Sequence, residues 1–127
     1  MTKLLFAYSL PFVSVTIQTK GKVATISNVL LDTGSYATLF DTDVLADYGI
    51  APEGRDRIRN VIGIGGEEWV VETRVESLGV GEIIASPFRI QTGALNYRFQ
   101  MNGILGVDFL VQAGAVVDFR NHEIRKG

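Results

Sequence analysis

Val29-Leu30-Leu31-Asp32-Thr33-Gly34-Ser35-Tyr36-Ala37-Thr38-Leu39-Phe40 is the stretch on which the reading of this chain turns. An apolar run ends in a carboxylate, a turn of small and polar residues follows, and apolar residues resume at Leu39. Residues 23–31 read as a strand running straight into Asp32. A carboxylate at the end of a buried strand costs free energy to place unless something uses it. Gly34 supplies the backbone freedom that such a turn needs. In isolation, however, Asp-Thr-Gly is also an ordinary turn, because Asp and Gly form turns in many settings.

The surrounding sequence is one of short strands punctuated by glycine. On the N-terminal side, Val13, Val15 and Ile17 alternate with Ser14, Thr16 and Gln18, the period of a half-buried strand. Lys20-Gly21 supplies the turn into the strand that carries Asp32. On the C-terminal side, Asp41 is placed to cap a helix of one or two turns, with Val44, Leu45 and Tyr48 on one side and Gly49 at its stop. Residues 52–60 read as a polar connection. Residues 68–78 and 82–91 read as a long hairpin about Gly79-Val80-Gly81, and residues 92–102 as a loop. Residues 106–113 predict a short helix ended by Gly114, and 115–119 with 123–125 a closing hairpin. Strands dominate and helices are few, so the class is all-β, with one or two short helices beside a closed or barrel-like sheet.

The length of 127 residues suits one compact domain, 1–127, and is too short for two ordinary ones. A hydrophobic share of 46% is enough for a core. The formal charge of -2 gives no electrostatic reason to expect nucleic acid as a partner. Arg55, Arg57 and Arg59 cluster, but Glu53 and Asp56 stand beside them, as on a solvated loop. The absence of cysteine excludes disulfides, thiol catalysis and Cys-type zinc sites. The apolar residues from Leu4 to Leu10 are too few for a membrane span and have only Lys3 as a basic flank. A soluble, cytoplasmic protein with no membrane segment is therefore the expectation.

With these features in place the chain resembles the retropepsin-like aspartic proteases, and the resemblance covers most of its length. It is carried, in family order, by the apolar strand with Asp32-Thr33-Gly34-Ser35, the glycine-rich Ile62-Gly63-Ile64-Gly65-Gly66, and Ile104-Leu105-Gly106 continuing as Val107-Asp108-Phe109-Leu110. The resemblance implies a retropepsin-like acid protease barrel and an aspartic endopeptidase that needs no metal and no cofactor. Asp32 would be catalytic, and Thr33, Gly34 and Ser35 would form the active-site loop. Ser35 would donate to the outer oxygen of Asp32, biasing activity toward mildly acidic pH. Residues Ile62, Gly63, Ile64, Gly65 and Gly66 would form a substrate-binding flap, although Glu67 and Glu68 follow its tip where viral flaps stay apolar. Ile104, Leu105 and Gly106 would support the loop from behind. The family mechanism needs two carboxylates, and this chain has one Asp-Thr-Gly and no Asp-Ser-Gly. A homodimer with one Asp32 from each copy meets that need, with an extended peptide or protein as substrate.

Other readings fit less well. Asp41-Thr42-Asp43 has the look of a phosphatase aspartate pair, but the long helices of such a fold have no room here. Gly63-Ile64-Gly65-Gly66 fails as a dinucleotide fingerprint, because Glu68 stands where the third glycine belongs. His122, the one histidine, lies in a charged turn and reads as a surface residue rather than part of a triad. Asp108 reads as a helix N-terminal residue. The alternative of substance is a catalytically silent retropepsin-like module that dimerises or binds peptides.

Overall fold

The structure is a computed structural model that describes residues 1–51, 56–63, 66–95 and 100–127. Its strands are β1 (Thr2–Lys3), β2 (Leu5–Ala7), β3 (Leu10–Thr19), β4 (Lys22–Leu31), β5 (Leu39–Asp41), β6 (Arg57–Gly63), β7 (Gly66–Val75), β8 (Ser77–Val80), β9 (Ile83–Ala85), β10 (Phe88–Gly93), β11 (Gly103–Leu105), β12 (Ala115–Asp118) and β13 (Glu123–Lys126). Two short helices, α1 (Thr42–Asp47) and α2 (Val107–Gln112), complete the described elements. The chain is mainly β, as its alternating pattern predicts.

The pattern is clearest in β3, where Val13, Val15 and Ile17 are buried and Ser14, Thr16 and Gln18 are exposed. Thr19 pairs with Lys22 across Lys20 and Gly21, both at positive φ, which matches the twist of the strands they join. A second turn of this kind, at Tyr8 and Ser9, joins β2 to β3. It carries no glycine or asparagine to mark it in the sequence.

The larger sheet runs in the order β6-β7-β10-β5-β11-β4-β3-β8-β9, with β2 also paired to β3. Strands β7 and β8 are separated by Glu76 alone, yet they take the second and eighth places in that order. The sheet must therefore curve back on itself. It does not close: among the described residues β6 and β9 remain its free edges, each the outer member of a hairpin. Of the closed or barrel-like sheet that the sequence predicts, the structure has the curved form without closure. A smaller sheet, β1-β13-β12, brings the two ends of the chain together.

The concave arrangement surrounds one main core that includes Val15, Ile17, Ile26, Val29, Phe40, Leu105, Phe109 and Ile124. Phe109 of α2 meets Phe88 of β10 edge-on, with ring centroids 6.0 Å apart, so α2 is anchored on the sheet. Burying such a side chain stabilises the fold by about 1.5–3 kcal/mol. Among the described residues no helix is long and apolar enough to cross a membrane.

Several boundaries differ from the sequence reading. Arg57 to Asn60 belong to β6 and not to a connection, because pairing with β7 satisfies their backbone without an apolar face. Thr92 and Gly93 extend β10 by pairing with Phe40 and Asp41. The long hairpin of 68–91 is two pairings, β7 with β10 and β8 with β9, broken at Glu76 and at Ser86-Pro87. Tyr48 is exposed, whereas Leu45 of α1 is buried.

Candidate active site

Strand β11 lies between β4 and β5, parallel to the first and antiparallel to the second. Chain leaving β4 at Leu31 must therefore cross the end of β11 before it can enter β5. Residues 32–38 are that crossing. The Asp32 N–H donates to the Leu105 carbonyl at 3.0 Å, and the Val107 N–H donates to the Ser35 carbonyl at 2.8 Å. Gly106 lies directly beneath: a Cβ there would stand 2.6 Å from the Ala37 carbonyl oxygen and 2.9 Å from that of Ser35. Only glycine lets the two backbones approach so closely. The structure thus brings Ile104, Leu105 and Gly106 against the Asp32 loop, with Ile104 and Leu105 buried.

Within the loop, the Gly34 N–H donates to Asp32 Oδ1 at 2.9 Å and the Ser35 N–H to the Asp32 carbonyl at 3.2 Å. The turn is therefore closed partly by the carboxylate itself. Asp32 is half-buried, while Thr33 and Gly34 are exposed. Ser35 departs from expectation. Its hydroxyl donates to the Ala37 carbonyl at 2.8 Å rather than to Asp32, the local side-chain-to-backbone bond that serine readily forms. Tyr36, next along the loop, is 66% exposed.

The far end of the crossing is held by side chains that the motif reading did not select. Thr38 is fully buried. Its N–H donates to Asp108 Oδ2 at 3.1 Å and its hydroxyl to Asp108 Oδ1 at 2.7 Å. The same hydroxyl accepts the Gly106 N–H at 3.0 Å, and the Thr38 carbonyl accepts the Gln91 N–H at 2.9 Å. Asp108 Oδ1 also accepts the Phe109 N–H at 2.8 Å. A cavity of about 400 Å³ borders Asp108 and is lined also by Arg74, Pro87, Phe88, Arg89 and Gln112. Thr38 and Asp108 are 70 residues apart, so no local spacing links them; a polar residue in a position that must be buried was the available signal.

The glycine-rich segment lies elsewhere in the sheet. Strands β6 and β7 pair from Arg57↔Glu72 to Gly63↔Gly66, and Ile62 pairs with Glu67. Ile64 and Gly65 fall outside the described residues. Strand β10 alone separates β7 from β5, the strand that the Asp32 loop enters. Ile58 and Trp69 of this hairpin are 69% and 67% exposed. His122 is exposed as well, with its ring 4.7 Å from that of Phe6.

One protein family, described as aspartyl protease, has a model that matches residues 13–109, well over half of the chain, with the Asp32 loop, Thr38, Gly106 and Asp108 all inside the match. A comparison with curated proteins found no match.

Proposed function

The chain belongs to the aspartyl protease family, and from that premise we propose that it is an aspartic endopeptidase in which Asp32 of two copies makes one active site. The observation that carries the proposal is a carboxylate on a firmly backed but outwardly open loop. A backbone bond to Leu105 of β11 fixes Asp32 from behind, while Thr33 and Gly34 present little bulk to an approaching partner. With one such motif per chain, a second carboxylate has to come from a second copy.

The chemistry follows from electrostatics. Two carboxylates about 3 Å apart repel by about 5 kcal/mol at an effective dielectric of about 20, so the pair keeps one proton over several pH units. Such proton sharing is the general property of aspartic protease dyads, and its titration belongs to the pair. The ionised member takes a proton from a water as that water attacks the scissile carbonyl, and the protonated member donates to the carbonyl oxygen. Thr33 would bond to the partner loop, and Gly34 would admit it. The glycine-rich segment Ile62, Gly63, Ile64, Gly65 and Gly66 would serve as a flap, covering an extended peptide laid down as an added strand.

The test compares the wild type with Asp32→Asn on a mixed peptide library between mildly acidic and neutral pH. The proposal expects cleavage by the wild type and a loss of about 10²–10⁴-fold in the variant. Equal cleavage by both would remove Asp32 from the mechanism. Cleavage by neither would favour a silent dimerisation or peptide-binding module.

A further inference from the structure

We infer that Asp108 is a positioning residue for Asp32, acting through Thr38; this rests on the protease reading above. The Asp32 end of the crossing is held by a backbone bond to Leu105 of β11, which many sequences could supply. The Thr38 end is held by one backbone bond, from the Gln91 N–H, and by one side chain from α2. The Asp108 carboxylate accepts both donors of Thr38, one on each oxygen, and orients a hydroxyl that in turn receives the Gly106 N–H. From Gly106 the chain passes to Val107, whose N–H holds the Ser35 carbonyl. The segment from Asp32 to Thr38 is thus pinned at both ends and in its middle, and two of those three points trace back to Asp108.

A carboxylate suits this place better than an amide. Among the described residues the groups that bond to it, the Thr38 N–H, the Thr38 hydroxyl and the Phe109 N–H, are all donors. Asparagine would offer one oxygen and turn its own N–H₂ toward a donor, leaving a buried group unpaired. Thr38→Val would remove the hydroxyl, leaving the Gly106 N–H without its acceptor and Asp108 Oδ1 without one of its two donors, whereas Thr38→Ser would keep every bond. A role confined to the first turn of α2 would involve Phe109 alone, and would make Thr38 irrelevant.

The experiment measures kcat and KM on a cleaved peptide, together with amide hydrogen exchange, for the wild type, Asp108→Asn, Thr38→Val, Thr38→Ser and the exposed-surface control Val111→Ala. Asp108→Asn and Thr38→Val should each lower kcat by about 10–100-fold with KM nearly unchanged, as expected when a reacting group is misplaced by a fraction of an ångström or more. Both should also speed exchange at Gly34 and Val107 by about tenfold or more, reporting local opening of the loop. Their combination should be little worse than either, because both break one unit. Thr38→Ser and Val111→Ala should behave as the wild type. Wild-type kcat and wild-type exchange in Asp108→Asn would overturn the inference, as would a loss in Thr38→Ser equal to that in Thr38→Val. Should the wild type cleave nothing, the protease reading falls, and the exchange rates of the same variants still decide whether Asp108 holds the loop.

Discussion

Gly106 shows how little room the loop leaves. Its missing side chain lets the end of β11 pass within contact distance of the Ser35 and Ala37 carbonyls, and no flexible neighbour could give way, because both atoms are backbone. Gly106→Ala should therefore destabilise the protein by about 1–3 kcal/mol or more, read as a fall in the urea midpoint, since overpacking must be relieved by moving the loop. An unchanged midpoint would show that the approach is less tight than 2.6 Å implies. At this scale the sequence was legible where a residue type leaves few alternatives. An acid at the end of a buried strand, followed by glycine, marked Asp32 and Gly34. Side-chain direction was not legible: Ser35 turns to Ala37 rather than to Asp32, and the bond between Asp108 and Thr38 depends on the folding of distant segments.

At the scale of elements, the C-terminal hairpin is fastened by its own turn. Asp118, at the end of β12, accepts from the Asn121 side chain at 2.8 Å and from its backbone N–H at 3.0 Å, and from Arg125 at 3.0 Å. These donors, Asn121 first, lower its pKa from 3.8 to about 2. The bound form is the ionised one, so its stabilisation is present above 3.8 and is lost as the pH falls toward 2. The midpoint of urea unfolding should drop across that window, and Asp118→Asn should flatten the drop. A variant with the same acid dependence as the wild type would show that other carboxylates control it. Hairpins and caps of this kind were readable where turn chemistry is overt, as at Lys20-Gly21 and at Asp41, whose side chain accepts from the Asp43 and Val44 N–H groups. They were unreadable at Tyr8-Ser9 and along Arg57 to Asn60, where neither turn residues nor an apolar face announces the structure.

Over the whole molecule, alternation and glycine spacing predicted an all-β chain but not how its sheet ends. Closure depends on whether two edge strands find each other, and the pairing of distant strands leaves little trace in local sequence. Among the described residues the edges of β6 and β9 stay open. What the arrangement does supply is a crossing that carries one acid to the surface of one chain, and under the proposed function association is the property on which activity would depend. The most direct measurement of that dependence is a mixing experiment, with cleavage followed as the wild type is diluted and as inactive Asp32→Asn chain is added in excess. The account predicts that specific activity falls on dilution as pairs dissociate, and that the added variant suppresses the remainder by capturing wild-type chains. Specific activity that stays constant down to strictly monomeric chain, and is indifferent to the added variant, would contradict a shared active site.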